Sequence, residues 1–225
     1  MITIRSLIPA LLVFPLAAAA PVAETTEAQA LAVLASATGV HEKARACQQL
    51  AVVGGPAAIP ALAALLDKEP LADYARSGLE AIKDPAAGEA LRKALQRLDG
   101  RPLAGVVNSL GVRRDTAATA DLQKLALDPK RGVAAEALAS LGMIGTAEAA
   151  KTLRTALATG PADLRIPAAH AALAAAAQLA RDGNPGTARE LLGDVVRVLP
   201  PGLIPTAAKR QAAAIGAITA PALPK

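Results

Sequence analysis

Only a few side chains in this sequence have the chemistry to attack a substrate or hold a metal: the two histidines, His41 and His170, and the single cysteine, Cys47. His41 is followed by Glu42, and a His-Glu pair offers one nitrogen and one carboxylate. A metal centre needs several ligands that converge, and His170 stands more than a hundred positions away. His41 is therefore read as part of a solvated helix turn and His170 as a residue on a helix face. Cys47 would need a neighbouring base or cation to become a thiolate nucleophile. Only Lys43, one turn back, has helical spacing from it, so Cys47 is read as a small buried hydrophobe. The reading is of no catalytic residues, no metal site and no cofactor.

The elements that carry these residues follow from composition and period. Of 225 residues 53% are hydrophobic, yet there is no Trp, one Tyr (Tyr74) and one Phe (Phe14). A core built from Ala, Leu, Val and Ile suits closely spaced helices, and Ala and Leu are good helix formers, which implies an all-α fold. Pro56-Ala57-Ala58 recurs as Pro85-Ala86-Ala87, a spacing of 29 that also carries Leu50 onto Leu79 and Leu62 onto Leu91. Asn108-Ser109-Leu110-Gly111 and Ala139-Ser140-Leu141-Gly142 are 31 apart, as are Leu122 and Leu153. Leu141 to Leu179 and Leu153 to Leu191 are both 38, which predicts one longer first helix over 162–181. Each unit is a pair of helices that cannot bury its apolar stripe alone, and stacking unit on unit buries the stripes in one continuous core. First helices are predicted near 41–53, 70–82, 101–112, 131–144, 162–181 and 203–217, with second helices after all but the last. A lone helix over 26–37, capped by Thr25 or Thr26, would shield the end of the first unit.

The run Ala137-Leu138-Ala139-Ser140-Leu141-Gly142-Met143-Ile144-Gly145 followed by Ala147-Glu148-Ala149-Ala150-Lys151-Thr152-Leu153 resembles the HEAT repeat, in its short bacterial form related to the bilin-lyase type. Gln49 to Gly54 with Ala58 to Leu62 is similar to it as well. The resemblance spans nearly all of the chain after its N-terminal segment. It implies a right-handed α-solenoid of about five to six helix pairs and, since such arrays mostly act as interaction scaffolds, a protein partner. A bilin-lyase-like or other ligand-handling protein, or a structural module of a larger multidomain chain, is the alternative. The HEAT-fold iron hydroxylases resemble this architecture too, but they use several His-Glu pairs, and one stands here. Gly105 to Asp115 (GVVNSLGVRRD) looks like a stretch found in exported bacterial HEAT proteins, some joined to cytochrome modules, but no Cys-x-x-Cys-His is present.

Within that frame, candidate partner contacts are Arg92, Lys93, Lys124 and Arg154 on second helices, and Asn108, Arg113 and Arg114 at the end of a first helix. The repeat alignment puts Arg92, Gln123 and Arg154 at one position and Lys93, Lys124 and Thr155 at the next. A basic ridge would result, unless the charges are neutralised within their helices by Glu89 with Lys93, Asp121 with Lys124 and Glu148 with Lys151, spacings that suit weak pairs. Reversing the charge of Arg92 and Arg154 is then expected to leave melting nearly unchanged. Asn108 interrupts an apolar run and is read as a buried amide that bonds a neighbouring repeat's backbone. Asp115 is expected to cap the following helix, and Arg113 and Arg114 to complement the dipole of the helix they end.

Residues 1–19 carry one early charge, Arg5, an apolar stretch and an alanine run that fits signal-peptide cleavage after Ala19. The expected organisation is a signal peptide over 1–19, a capping helix within 20–40 and a solenoid over 41–225, and the expected location is exported, periplasmic or secreted. No later stretch reads as a membrane span. The formal charge of +5 is mild and spread along the chain, and Tyr74 alone cannot supply the aromatic stacking of a nucleic-acid groove, so no nucleic-acid partner is expected. The final residues, Ala220 to Lys225, resemble the start of a second helix.

Overall fold

The structure, a computed structural model, describes residues 26–219. The expected signal peptide and the segment Ala220 to Lys225 lie outside the described residues. Among these, twelve α-helices run α1 (Glu27–Ala35), α2 (Val40–Val53), α3 (Ala58–Ala63), α4 (Ala72–Ala81), α5 (Pro85–Ala94), α6 (Gly100–Val112), α7 (Thr119–Leu127), α8 (Ala134–Ile144), α9 (Ala147–Thr159), α10 (Arg165–Arg181), α11 (Pro185–Val198) and α12 (Leu203–Thr219). Five pairs follow α1, each a first and a second helix, and α12 begins a sixth unit. First helices stack on first helices from α2 to α12, and second helices pack beside them. The architecture is an all-α solenoid.

The leucine register decides this packing. Leu50, Leu79, Leu110, Leu141 and Leu179 on the first helices, and Leu62, Leu91, Leu122, Leu153 and Leu191 on the second, are all at most 1% exposed. The 38-residue step is absorbed where expected, by the seventeen residues of α10. Each fully buried Leu contributes about 1.5–3 kcal/mol, so the ten equivalent positions are a large part of the core that joins the repeats.

Small residues let the first helices approach. A Cβ built on Gly142, inside α8, would lie 2.6 Å from the Ala171 carbonyl oxygen and 2.8 Å from its Cα. The fourth and fifth repeats thus meet backbone to backbone, with alanines at most of the buried positions of α10. Gly142 belongs to the helix and not to the turn, which Gly145 makes with φ of 66°. Ser140 donates to the Val107 carbonyl at 2.9 Å, so the polar group buried between α6 and α8 is satisfied.

At the start, Thr26 and Gln29 form a reciprocal capping box on α1, which fixes Thr26 as the cap. Glu27 then accepts a hydrogen bond from the Gly55 amide at 2.7 Å, tying α1 to the turn between α2 and α3. Ala30 is fully buried beneath it, and α1 closes that end of the first repeat's core.

Candidate functional site

His41 and His170 are exposed, and Cys47 is fully buried. Burial pushes the Cys47 thiol up to about 11, so it is protonated at neutral pH and inert as a nucleophile. Among the described residues no group of three or more His, Cys, Asp or Glu is placed to hold a metal ion.

The aligned second-helix position behaves differently from the expected ridge. Arg92 donates to Asp115, in the turn between α6 and α7 of the third repeat. Gln123 donates to the Glu148 carbonyl of the fourth repeat at 3.1 Å. Arg154 reaches the fifth repeat, where its Nε donates to buried Asp194 at 2.5 Å and its Nη1 to Glu190 at 3.1 Å. One position in three successive repeats therefore stitches each repeat to the next. Asp115 and Asp194 are only 10% and 9% exposed, and a buried acid whose cation is removed is costly, the more so at Asp115 because Asp194 keeps Arg197 at 2.6 Å. The expectation that charge reversal at Arg92 and Arg154 leaves melting unchanged is corrected accordingly. Lys93 and Lys124 do follow the local pattern, pairing with Glu89 at 2.6 Å and Asp121 at 3.3 Å. Among the described residues Lys151 makes no ion pair with Glu148.

Asn108 is exposed and not buried. Leu103, Val106, Val107 and Leu110 face the core, the i, i+3, i+4, i+7 stripe of one helix face, and position 108 falls outside it. The buried polar residue of α6 is its neighbour Ser109. Its hydroxyl donates to Glu80 at 2.6 Å and accepts from Arg76 at 3.0 Å. Arg76 also donates to the Gly105 carbonyl and to Asp73, which Arg101 contacts at 3.0 Å. The α4–α6 junction is thus a polar network, unlike the α8–α10 junction.

Arg113 and Arg114 do complement helix ends, but not that of α6. The Arg113 guanidinium donates to the carbonyls of Leu79, Glu80, Ile82 and Asp84, so it caps α4 from the following repeat. Arg114 donates to the Ile144 carbonyl at the end of α8 and to Asp182 in the fifth repeat, each at 3.3 Å. Arg97 on the Ala63 carbonyl and Arg131 on those of Leu95 and Leu98 repeat the device. Carbonyls at a helix C-terminus lack intrahelical donors and carry negative charge, and Arg97, Arg113, Arg114 and Arg131 are spent there. Asp115 caps the next turn as expected, accepting from Ala117.

Arg114 has φ of 51°, a left-handed conformation uncommon outside glycine. The position 31 residues on is Gly145, with φ of 66°. An arginine thus stands at a turn where a later repeat uses glycine.

Three of the seven candidate contacts, Arg92, Arg113 and Arg114, come together. With Asp115, Thr116, Ala117, Pro85 and Gly88 they line an open pocket of about 330 Å³ between the second and third repeats. Lys93, Lys124, Arg154 and Asn108 are not among its lining residues. Sequence reasoning placed Arg92 in one group and the hinge arginines in another. The equivalence of position 114 to Gly145 was the available signal that the turn is unusual.

Residues 88–174 match the family of HEAT repeats. The matched stretch runs from α5 into α10 and includes Arg92, Arg113 and Arg114. HEAT repeats generally mediate contacts between proteins. No curated protein matches the chain. Among the described residues no helix is long and apolar enough to cross a membrane.

Proposed function

We propose that this chain is an exported, non-enzymatic scaffold that binds another protein around its third repeat. One observation carries the reading: Arg92, Arg113 and Arg114, contributed by two successive repeats, line a single open pocket inside the stretch that matches HEAT repeats. The helix that ends in this turn, α6, keeps Val112 at 51% exposure and Asn108 exposed one turn earlier. A guanidinium-lined pocket beside an exposed apolar side chain is the mixture that protein interfaces favour, with arginine enriched among their anchors. The rest of the second-helix face supports this less well, because Arg154 is engaged by two acids of the next repeat and Lys93 and Lys124 pair within their own helices.

The test is photo-crosslinking in the native host, with a crosslinking side chain at Val112 and, as a control, at Lys124. A discrete crosslinked protein from position 112 and none from 124 is the expected result. Absence of any adduct from 112, with adducts from 124, would move binding to the second helices. Export is tested by the intact mass of the secreted protein, which should lack residues 1–19.

A further inference from the structure

The pocket between the second and third repeats holds more positive charge than its own structure consumes. Its charged lining consists of Arg92, Arg113 and Arg114 against the single carboxylate of Asp115. Arg113 spends its donors on four carbonyls, so it offers a field and few bonds. The other two are only partly engaged. Among the described residues Arg92 uses Nη1 alone, on Asp115, and Arg114 uses Nη2 alone, on Ile144 and Asp182. Nε and one terminal nitrogen of each remain to donate. On Arg92 these form the Nε–Nη2 edge, whose parallel N–H groups match a carboxylate in bidentate geometry, whereas on Arg114 they point apart and offer single charge-assisted hydrogen bonds. The Arg92 and Arg114 side chains are 27% and 46% exposed, so a ligand reaches them without unfolding the turn.

We propose that this pocket binds a carboxylate side chain within an acidic segment of the partner protein. The inference rests on the scaffold reading and specifies the chemistry of its partner. Charge complementarity chooses the occupant: three cations are met by two anions, Asp115 in the lining and Asp182 beyond it, which leaves one positive charge in excess, and the remaining lining of Pro85, Gly88, Thr116 and Ala117 adds no charge. The pocket is open and sits beside exposed Val112, which suits a carboxylate presented on a chain.

Arg114 makes a clean test, because glycine fits a φ of 51° at least as well as arginine does. Arg114→Gly therefore removes the guanidinium, with its contacts to the Ile144 carbonyl and Asp182, while keeping the turn, the Arg92–Asp115 pair and the Arg113 cap. The experiment is fluorescence anisotropy of a labelled glutamate-rich peptide titrated with the full chain, its Arg114→Gly variant and a Lys93→Gln, Lys124→Gln control. Circular dichroism checks that each is folded, and inorganic phosphate serves as competitor. The expected result is binding that weakens about tenfold or more in Arg114→Gly, the loss of one charge-assisted pair, and is little changed in the lysine control. Equal binding by the chain and Arg114→Gly, or an equal loss in the lysine control, overturns the proposal. So does tight phosphate binding without peptide binding, which would make the pocket a free-anion site. If the peptide fails to bind while position 112 still crosslinks a partner, the scaffold reading stands and the acidic-segment proposal falls.

Discussion

The junction between the second and third repeats and the junction between the fourth and fifth use opposite chemistry for the same stacking task. In the first, α4 and α6 meet through Arg76, Glu80, Ser109 and Asp73, with Arg113 capping α4 from across the boundary. In the second, α8 and α10 meet through Gly142 and the alanines of α10, close enough that backbone touches backbone. A dry small-residue contact is rigid and insensitive to solution conditions, since its strength is dispersion and burial. A polar contact between partly exposed charges is adjustable by pH and salt. The layer of first helices thus holds one stiff contact and one responsive joint, while the second helices of the fourth and fifth repeats add the Arg154 ion pairs, and the arginine pocket lies at the responsive joint.

The comparison breaks most readily at the stiff contact. Leu141→Ala should cost about 2–5 kcal/mol, read as a loss in the urea-unfolding midpoint. A variant that barely moves would refute the leucine register. Gly142→Ala should cost about 1–3 kcal/mol by overpacking, because the Ala171 backbone it meets cannot yield. Gly105→Ala is its counterpart at the polar joint, where the added Cβ would lie 2.5 Å from Arg76 Nε, the far part of a flexible side chain. It should be nearly neutral, the gain in helix propensity of about 1 kcal/mol offsetting displacement of Arg76. Equal losses at the two glycines would erase the distinction between the junctions.

The repeat register was legible in the sequence, the contrast between the two junctions was not, and the reasons are specific. The 29-, 31- and 38-residue spacings located every first helix to within three residues or so, because a buried leucine at each equivalent position is a condition of stacking. The stitching by Arg92 and Arg154 was not legible, since both acids, Asp115 and Asp194, lie in the next repeat and only the stacked geometry brings them near. Asn108 was misplaced for a different reason: the apolar run before it suggested an interior, whereas the 103, 106, 107, 110 stripe excludes it. The arginine caps on α4 and α8 were hidden because a side chain beside one helix end reached another.

Smaller effects sharpen the contrast. The Asp73 carboxyl is held below its ordinary value, chiefly by the hydrogen bond from Arg76 and further by the charges of Arg76 and Arg101. A carboxylate whose folded pKa lies below its unfolded one stabilises the fold above the unfolded value and loses that contribution as pH falls through the folded value. Acidification below about pH 4 should therefore loosen α4 against α6 before it affects α8 against α10, followed by amide chemical shifts. Uniform loosening would show that this ion pairing plays no part at the joint. Smallest of all, Cys47 should resist alkylation at pH 8 in the folded chain and react at once in urea, because its thiol is buried and its pKa is raised. Rapid labelling of the folded protein would place the first repeat's core elsewhere.

Hydrogen exchange at low and high salt tests the two-junction account most directly. In about 1 M sodium chloride, where exposed charges are screened within about 3 Å, amides in the last turns of α4 and α6 should exchange faster, while those of α8 and α10 keep their protection. Equal acceleration in both pairs, or acceleration confined to α8 and α10, would contradict it.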